Sequence, residues 1–375
     1  MKISQPSITV IQTGIVYRNP IPHVRSRQAY FPSVVPLDNG DLLASLVIGE
    51  AFESVDADTR LCRSTDKGET WDEPVEILSE KEKRYASNCA RLTATGKGRL
   101  VAMFVRSLRQ THLAEGLANP ENMGFVPTEL LLVRSGDNGK TWSEPEIITP
   151  PLEGPSFEAC SPVVLLKDGR WIWPTSTWRG WDGYCPNGMK MVAFVSSDQG
   201  KTWPEYMDVM DGHTSQIIYW EGKILELSTG EMVAVAWTYD EKNGVDLPNH
   251  YALSRDQGKA WSAPASTGIL GQTLALIELD EARMLTVYRR MDKPGLWATV
   301  ARIENDSWIN ESEKCLWGNQ DNPLLPKQQN MVQEFNELKF GAPAITRLAD
   351  GSLFVVFWCY EKMVSNIRWI KLIVN

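Results

Sequence analysis

The sequence predicts an all-β fold, a six-bladed β-propeller of four-stranded antiparallel blades closed by the N-terminal strand. Three observations support this prediction. A strand, a tight turn and a second strand recur six times along the 375 residues. A Ser-x-Asp-x-Gly-x-Thr-Trp turn recurs at intervals of about 60–70 residues, a spacing typical of propellers and arrays. Finally, the first strand has no partner nearby in sequence, and the last repeat lacks a strand.

The N-terminal strand is predicted from a β-branched run, Ile8 to Tyr17. The repeats that follow begin with a hairpin whose turn contains glycine, as in Asn39-Gly40 and Asp350-Gly351, and only the fifth turn, at 280–282, lacks it. Such turns between apolar runs are the strongest short-range hairpin signal. The first strands are expected at 32–37, 89–94, 161–166, 223–227, 272–279 and 343–348. The second strands are expected at 41–48, 99–105, 170–174, 231–237, 283–288 and 352–359.

In the first four repeats, a third strand leads into the Ser-x-Asp turn and a fourth follows its Trp. These turns begin at Ser64, Ser135, Ser196 and Ser254, and the fourth has Ala260 in place of Thr. Short Ser and Asp side chains bond to nearby main-chain N–H groups, and Gly accepts a positive φ. The Trp ring supplies a large apolar surface for packing. We therefore expect these turns to stabilise the fold and to take no part in chemistry.

The last two repeats are less regular. Repeat five has a third strand at 296–303 and a degenerate turn at 304–308, and repeat six ends with a third strand at 366–374. The strand Ile8 to Tyr17 can supply the missing fourth strand and close the ring, which removes exposed sheet edges. Since no linker or shift in composition divides the chain, residues 1–375 are expected to form a single domain.

Composition excludes several classes of function. A net charge of −9 and a pI near 5.2 argue against nucleic-acid binding. No apolar run is long enough to span a membrane, and no signal peptide is visible. The chain is therefore expected to be cytoplasmic, or a mature form whose leader was removed. The six Cys are scattered without metal-ligand spacing, so no metal or cofactor is expected. Fifteen Trp suit stacking on sugars, which predicts a carbohydrate partner.

Strand order predicts which loops share a face. The glycine turns and Ser-x-Asp turns point to one face, and the entries to first strands and exits from second strands point to the other. The second face gathers carboxylates, Arg and aromatic residues, as acid–base chemistry on a sugar requires. The candidate catalytic carboxylates are Glu50, Glu158, Asp182, Glu221 and Glu361. The candidate substrate-binding residues are Arg27, Tyr30, Arg106, Arg179, Trp181, Tyr239, Gln272, Arg289 and Arg290.

The four Ser-x-Asp-x-Gly turns resemble the Asp boxes, or BNR repeats, of the sialidase superfamily. The resemblance implies a six-bladed propeller with its active site on the face opposite the boxes. Sialidases bind the substrate carboxylate with three Arg, and they use a Tyr nucleophile activated by Glu and an Asp acid/base. The resemblance implies that Glu221 corresponds to the activating Glu and that Asp56 or Asp58 corresponds to the acid/base Asp. Tyr360-Glu361 resembles a Tyr-Glu ending found in the family.

The other positions depart from the sialidase pattern. Tyr30 stands where the first Arg is expected, the second Arg falls near Trp237, and the Tyr nucleophile falls near Ala342. Without the Arg cluster a substrate carboxylate loses its bidentate partners, and without the Tyr the covalent route of sialidases has no nucleophile.

We therefore expect a sialidase-like hydrolase that is exo-acting on a different glycoside. The separation of its two carboxylates would decide between inversion and retention. Two alternatives remain open. A lyase acting on uronate polymers could use Tyr30 or His112 as its base, or the propeller could bind glycans without catalysis.

Overall fold

The computed structural model describes residues 5–79, 85–158, 160–280, 282–318, 332, 334 and 337–375. Within these ranges the regular structure is β-strand, apart from one turn of 3₁₀-helix at His213–Ser215. The strands form six antiparallel sheets, the blades of a six-bladed β-propeller. The predicted fold class is therefore confirmed. No helix in the described part of the chain has the length and hydrophobicity of a membrane span.

Each blade runs outward from the central axis in chain order. The first strand, which belongs to the last blade, is β1 (Ile8–Tyr17). Blade 1 contains β2 (Gln28–Pro36), β3 (Leu42–Gly49), β4 (Asp58–Ser64) and β5 (Val75–Glu76). Blade 2 contains β6 (Ala86–Gly96), β7 (Arg99–Leu108), β8 (Thr128–Ser135) and β9 (Glu146–Ile148). Blade 3 contains β10 (Ser156–Glu158), β11 (Val164–Leu165), β12 (Trp171–Trp178), β13 (Met191–Ser196) and β14 (Glu205–Met210).

The second half of the ring follows the same plan. Blade 4 contains β15 (Ile217–Glu226), β16 (Met232–Asp240), β17 (Val245–Ser254) and β18 (Ala265–Ser266). Blade 5 contains β19 (Gly271–Asp280), β20 (Arg283–Arg290), β21 (Leu296–Glu304) and β22 (Ser307–Trp317). Blade 6 contains β23 (Phe340–Arg347), β24 (Leu353–Glu361) and β25 (Val364–Val374), followed by β1 at its outer edge.

The N-terminal strand closes the ring as predicted. β1 pairs antiparallel with β25 from Ile8 opposite Val374 to Tyr17 opposite Ile367. The main chains of Ser7 and Asn375 continue this ladder with two hydrogen bonds of 2.9 and 3.0 Å. Blade 6 is thus assembled from both ends of the described chain.

Apolar clusters fill the six interfaces between neighbouring blades. The cluster between blades 1 and 2, for example, contains Leu43, Leu61, Leu100 and Phe104, each no more than 2% exposed. Equivalent clusters join blades 2 and 3, 3 and 4, 4 and 5, 5 and 6, and 6 and 1. Because both faces of a blade are covered, its middle strands are buried along their whole length, as in β3 and β12.

The first three Asp boxes share one hydrogen-bonding pattern, shown by the second, and the fourth lacks only the bond of the Thr hydroxyl. Ser135 Oγ donates to Asp137 Oδ1 at 2.8 Å and accepts the Gly139 N–H at 2.9 Å. Asp137 accepts the hydroxyl and the N–H of Thr141 at 2.6 and 2.9 Å. These bonds hold the pKa of Asp137 below its usual range. A Cβ on Gly139 would lie 2.6 Å from Leu43 of blade 1, so the box also needs glycine for close packing.

The boxes also connect neighbouring blades. Three arginines each donate to a main-chain carbonyl in the box of the next blade: Arg63 to Asn138 at 2.5 Å, Arg134 to Gln199 at 3.0 Å and Arg170 to Gln257 at 2.7 Å. Charge-assisted bonds of this kind are stronger than neutral ones. The boxes therefore stabilise the ring, as the sequence predicts.

A recurrent bulge shapes the inner strands. In β2, β15, β19 and β23, two residues oppose one on the neighbouring strand. The residue in each bulge has a positive φ although it is not glycine: Phe31, Glu221, Thr273 and Ala342. β6 of blade 2 has regular pairing at this level. These bulges turn four side chains toward the axis of the ring.

Two elements differ from the sequence prediction. Only β11 (Val164–Leu165) falls within the strand expected at 161–166, and β10 (Ser156–Glu158) precedes that range; Pro162 lacks the N–H that a continuous ladder needs. The degenerate turn expected at 304–308 is a tight turn at Asn305 and Asp306, followed by the eleven residues of β22. The predicted turn at 280–282 includes residue 281, which lies outside the described residues.

Candidate active site

A central cavity opens at the upper end of the propeller axis, on the face opposite the Asp boxes. Its polar and ionisable wall residues come from five of the six blades: Glu53, Ser87, Asn88, Cys89, Arg91, Ser107, Thr128, Glu158, Cys160, Glu221, Thr273 and Arg289. Its aromatic wall residues are Phe31, Phe52, Phe125, Phe157, Trp220, Trp237 and Trp358. Polar groups on an apolar wall are the usual composition of a small-molecule site.

Two carboxyl groups meet on one side of this cavity. Glu158 ends β10 and is 8% exposed, and Glu221 occupies the bulge of β15 with a φ of 49°. The Glu221 N–H donates to Glu158 Oε2 at 3.1 Å, so the bulge itself orients its neighbour. Among the described residues, Glu158 Oε1 and Glu221 Oε2 are buried without hydrogen-bond partners. These two oxygens are therefore available to a ligand.

The proximity of these carboxyls changes their acidity. Burial, and then the charge of Glu158, raise the pKa of Glu221 to about 7, against the opposing effects of Lys223 and Arg289. Because two close carboxylates cannot both ionise freely, one proton is retained near neutral pH. Glu221 can therefore donate a proton under physiological conditions.

A thiol and two cations lie below the pair. Cys160 Sγ donates to Glu221 Oε1 at 3.5 Å. Lys223 donates to the carbonyls of Cys160 and Glu221, at 3.1 Å each. Arg91 of blade 2 bridges both neighbouring blades by donating to the carbonyls of Phe31 and Cys160 at 2.7 and 3.2 Å. Its side chain lines both the cavity and the channel below it.

One oxygen of Glu158, one of Glu221 and the Cys160 sulfur lie within 4.8 Å of one another, a spacing that a metal ion could bridge. No metal is expected from the sequence, because Cys160 and Glu221 are 61 positions apart and no spacing rule relates them. Arg91 and Lys223 already place two positive charges against the group. A dication would be repelled by them, so the cluster favours acid–base chemistry.

Arg289 lies on the wall near the end of β20. It is 4% exposed, and its guanidinium donates to Phe340 O at 3.1 Å and to the Gln272 side chain. Burial lowers the pKa of Arg289, whereas the charges of Glu221, Glu334 and Asp246 raise it. The guanidinium is thus fixed among three acidic groups.

Glu53 supplies a third carboxyl from the loop after β3. Its Oε2 accepts the Leu117 N–H at 2.9 Å, and burial raises its pKa to about 7. Arg109 fixes the loop by donating to the carbonyls of Glu53 and Glu115 at 2.8 and 2.7 Å. The acid/base positions suggested by the family resemblance, Asp56 and Asp58, lie outside the cavity wall.

The structure brings together part of the predicted site. Glu158, Glu221 and Arg289 all line the cavity, and Gln272 contacts Arg289 behind the wall. The other predicted carboxylates lie elsewhere. Glu50 and Asp182 are exposed in loops, and Glu361 forms an ion pair of 2.8 Å with Arg368.

The remaining predicted binding residues are not on the cavity wall, and each is held by structural partners. Several are held by polar groups: Arg27 beside the Tyr17 hydroxyl, Arg106 on Asn88 and Glu129, Arg179 on Glu241, and Arg290 on Asp292 and Glu313. The aromatic ones are packed: Tyr30 against Tyr360, Trp181 on His112, and Tyr239 near Trp237. Tyr30 and His112, the bases considered for a lyase, are thus also off the wall.

Sequence reasoning did not select Arg91, Cys160 and Glu53 as site residues. Arg91 lies in the middle of β6, where the sequence predicts that side chains alternate between the two faces of the strand but not which of them point toward the axis. Cys160 follows β10, next to the predicted Glu158. A buried carboxyl in a loop, such as Glu53, gives no local signal, although its loop is the one in which the resemblance places the acid/base.

Known proteins support the architecture. A model of the BNR repeat-like domain matches residues 41–355. A protein of unknown function from Dyadobacter fermentans is 19% identical, with a TM-score of 0.73, over 98% of this chain and 99% of that one. The intramolecular trans-sialidase from Ruminococcus gnavus is 14% identical, with a TM-score of 0.64, over 95% and 96%.

A sialidase from Trypanosoma rangeli, in complex with sialic acid, is 14% identical with a TM-score of 0.61, over 98% of this chain and 58% of that one. No curated protein sequence matches the chain. These identities establish a shared fold. The family model spans most of the chain, and the chain therefore belongs to the BNR repeat-like domain family.

Proposed function

We propose that the protein is an exo-acting glycoside hydrolase that cleaves a terminal sugar held in the central cavity. The observation that carries this proposal is the Glu158–Glu221 pair on one wall, where each carboxyl has one buried oxygen without a hydrogen-bond partner among the described residues. Arg91 lies between the cavity and the channel below it and is fixed to Phe31 and Cys160, which suits a chain end better than a polymer that passes through the ring. The similar sialidase solved with sialic acid supports a carbohydrate ligand.

The roles of the two carboxyls follow from their surroundings. Glu221, whose pKa is raised to about 7, donates its proton to the glycosidic oxygen as the bond to the leaving group breaks. Glu158 Oε1 attacks the anomeric carbon and forms a glycosyl ester. Glu221 then takes a proton from water, whose oxygen attacks the same carbon and releases Glu158. The short separation of the carboxyls predicts retention of anomeric configuration.

The carboxyl pair also separates this proposal from the alternatives. A lyase would need a base beside the sugar, and neither Tyr30 nor His112 is on the cavity wall. A purely structural propeller would fill its mouth with its own side chains. Here two carboxyl oxygens are buried without partners, a state that costs free energy unless a ligand or water uses it.

A panel of aryl and alkyl glycosides tests the proposal. We expect Glu221→Gln to lower kcat/KM by about 10²–10⁴-fold for alkyl glycosides, whose leaving groups need a proton. For dinitrophenyl glycosides, whose leaving group departs without a proton, kcat/KM should fall far less. Glu158→Gln should lose activity on both. Glu361→Gln, which alters an ion pair outside the cavity, is the matched control.

The anomeric form of the first product, followed by NMR, tests the stereochemistry. An unsaturated product would show elimination and overturn the hydrolase assignment. Sugar binding without turnover of any glycoside would show that the protein is a glycan-binding propeller without hydrolase activity. Full activity of Glu221→Gln on alkyl glycosides would remove this residue from the acid role.

A further inference from the structure

We propose that the cavity accepts a neutral sugar, with an apolar ring face or a methyl substituent against its aromatic wall, and discriminates against sugars that carry a carboxylate. This inference rests on the proposed function for its site and adds the substrate class. Three features carry it: the aromatic wall, the engaged cations and the acidic groups around Arg289.

The aromatic wall consists of two groups of rings, each fixed by ring contacts. Trp220 and Trp237 lie with ring centroids 4.2 Å apart, and the Trp237 indole donates to Asp246 at 2.5 Å, which fixes its orientation. Trp358 and Phe52 have centroids 5.5 Å apart, and both line the cavity. Flat rings of this kind stack on the C–H face of a sugar.

The basic side chains near the floor are already engaged. Arg91, 5% exposed, donates to the carbonyls of Phe31 and Cys160, and Lys223 donates to those of Cys160 and Glu221. Both also face the charges of Glu158 and Glu221. A substrate carboxylate would have to compete with these carbonyls and lie beside two carboxyl groups. That arrangement penalises an anion and leaves a neutral hydroxyl unaffected.

Arg289 is the remaining basic residue on the described wall. Its guanidinium donates to Gln272 and Phe340, and its Nε is buried without a partner in the described part of the chain. Glu221, Glu334 and Asp246 surround it with acidic groups. The positive charge is thus matched within the protein, and an incoming anion would be repelled by its neighbours.

Binding of monosaccharides tests this substrate class without requiring turnover. Titration calorimetry and saturation-transfer NMR would compare methyl α-L-fucoside, methyl α-L-rhamnoside and methyl β-D-galactoside with methyl β-D-glucuronide and N-acetylneuraminic acid. At least one neutral sugar should bind about 10-fold or more tightly than both acidic sugars, a difference of about 1.4 kcal/mol.

A charge variant tests the cause of the discrimination. Asp246→Asn removes an acidic group beside Arg289 while its amide oxygen can still accept the Trp237 N–H. The ratio of acidic to neutral sugar affinity should rise about 5-fold, as expected for removing one nearby like charge at high effective dielectric. Glu313→Gln, at the Arg290 ion pair outside the cavity, should not change this ratio.

The outcomes separate this inference from the proposed function. Binding of the glucuronide or of N-acetylneuraminic acid as tightly as the best neutral sugar overturns the inference, even if glycosides are hydrolysed. Binding of neutral sugars without hydrolysis of any glycoside supports the inference and overturns the hydrolase proposal. If no sugar binds, both are wrong.

Discussion

The Glu53 carboxyl is closely packed against the neighbouring loop that contains Gly116. A Cβ on Gly116 would lie 2.0 Å from Glu53 Oε2, so glycine is required where the two loops meet. Leu117 provides one N–H to the carboxyl, but burial dominates and raises its pKa to about 7. The folded protein therefore prefers this carboxyl protonated, whereas the unfolded chain ionises it at its ordinary, lower pKa.

This difference predicts how stability depends on pH. Between the ordinary pKa of Glu and about 7, the unfolded chain releases the Glu53 proton first, so the free energy of unfolding falls as pH rises through this window. Glu53→Gln keeps an acceptor for Leu117 and removes the ionisation. We expect the variant to be more stable than the wild-type protein by about 1–2 kcal/mol at pH 8, with a difference that vanishes toward pH 4.

Urea denaturation from pH 4 to pH 8 measures this effect. Glu221 titrates in the same window, so the informative quantity is the difference between variant and wild type at each pH. Glu121→Gln, at an exposed position, is the control and should show no trend. A Glu53→Gln difference that stays constant with pH would show that this carboxyl is not protonated preferentially in the folded state.

The sequence predicted Glu158, Glu221 and Arg289 because each adjoins an inner or second strand at the upper face. It could not separate them from Glu361 or Arg290, which have the same local setting. The difference lies in partners that are distant in sequence: Arg290 meets Glu313, whereas Glu221 meets Glu158 of the preceding blade. Contacts of this kind depend on how blades are rotated about the axis, and no short-range pattern reports that rotation.

Among elements, the Asp boxes were the most predictable. Each is a local unit in which Ser, Asp and Gly bond within a few residues, so sequence alone specifies the geometry. The fourth box retains the bonds of Ser254 to Asp256 and to the Gly258 N–H. Ala260 donates its N–H to Asp256 at 2.9 Å but has no hydroxyl to add the second bond.

Restoring that hydroxyl should stabilise the protein. We expect Ala260→Thr to raise Tm by about 1 °C, because it adds one exposed hydrogen bond of modest net value to a large domain. Thr141→Ala removes the equivalent bond from the second box and should lower Tm by a similar amount. Differential scanning calorimetry of the two variants measures both shifts. A decrease in Tm for Ala260→Thr would indicate that the fourth box cannot place the hydroxyl on Asp256.

The bulges of the inner strands were not predictable. Positive φ values usually occur at glycine, yet Phe31, Thr273 and Ala342 adopt them. Such a conformation costs about 1 kcal/mol per residue and is maintained by surrounding contacts. The Ala342 N–H, for example, donates to Thr273 Oγ1 of the neighbouring blade. The bulge therefore depends on the assembled ring, which a strand-by-strand analysis does not contain.

At the scale of the whole molecule, the number of strands sufficed to predict closure. The sixth repeat lacks a fourth strand, and the N-terminal strand belongs to no repeat. Pairing this strand with the sixth repeat is the arrangement that leaves no open sheet edge. β1 fits this position closely, since a Cβ on Gly14 would lie 2.5 Å from the Trp369 ring of β25. Ile8, Val16 and Tyr17 are each 6% exposed. We propose that residues 1–375 consequently unfold as one cooperative unit.

Removing the closing strand tests this proposal. Without residues 1–17, β25 becomes an exposed edge, and the apolar side chains that β1 covers are open to water. We expect the truncated protein either to aggregate or to unfold with a Tm lower by more than about 10 °C, since many kilocalories of apolar burial are lost. Co-expression of a separate peptide, residues 1–18, should restore soluble protein, because strand pairing needs no covalent link.

Size-exclusion chromatography and calorimetry of the truncated protein, with and without the peptide, measure these effects. The control is a peptide in which Ile8 and Val16 are replaced by Asp, which keeps the length but places charge in the buried positions. This peptide should not rescue the protein. A truncated protein that remains monomeric and melts within about 2 °C of the full chain would show that blade 6 is stable with three strands and that closure contributes little to the fold.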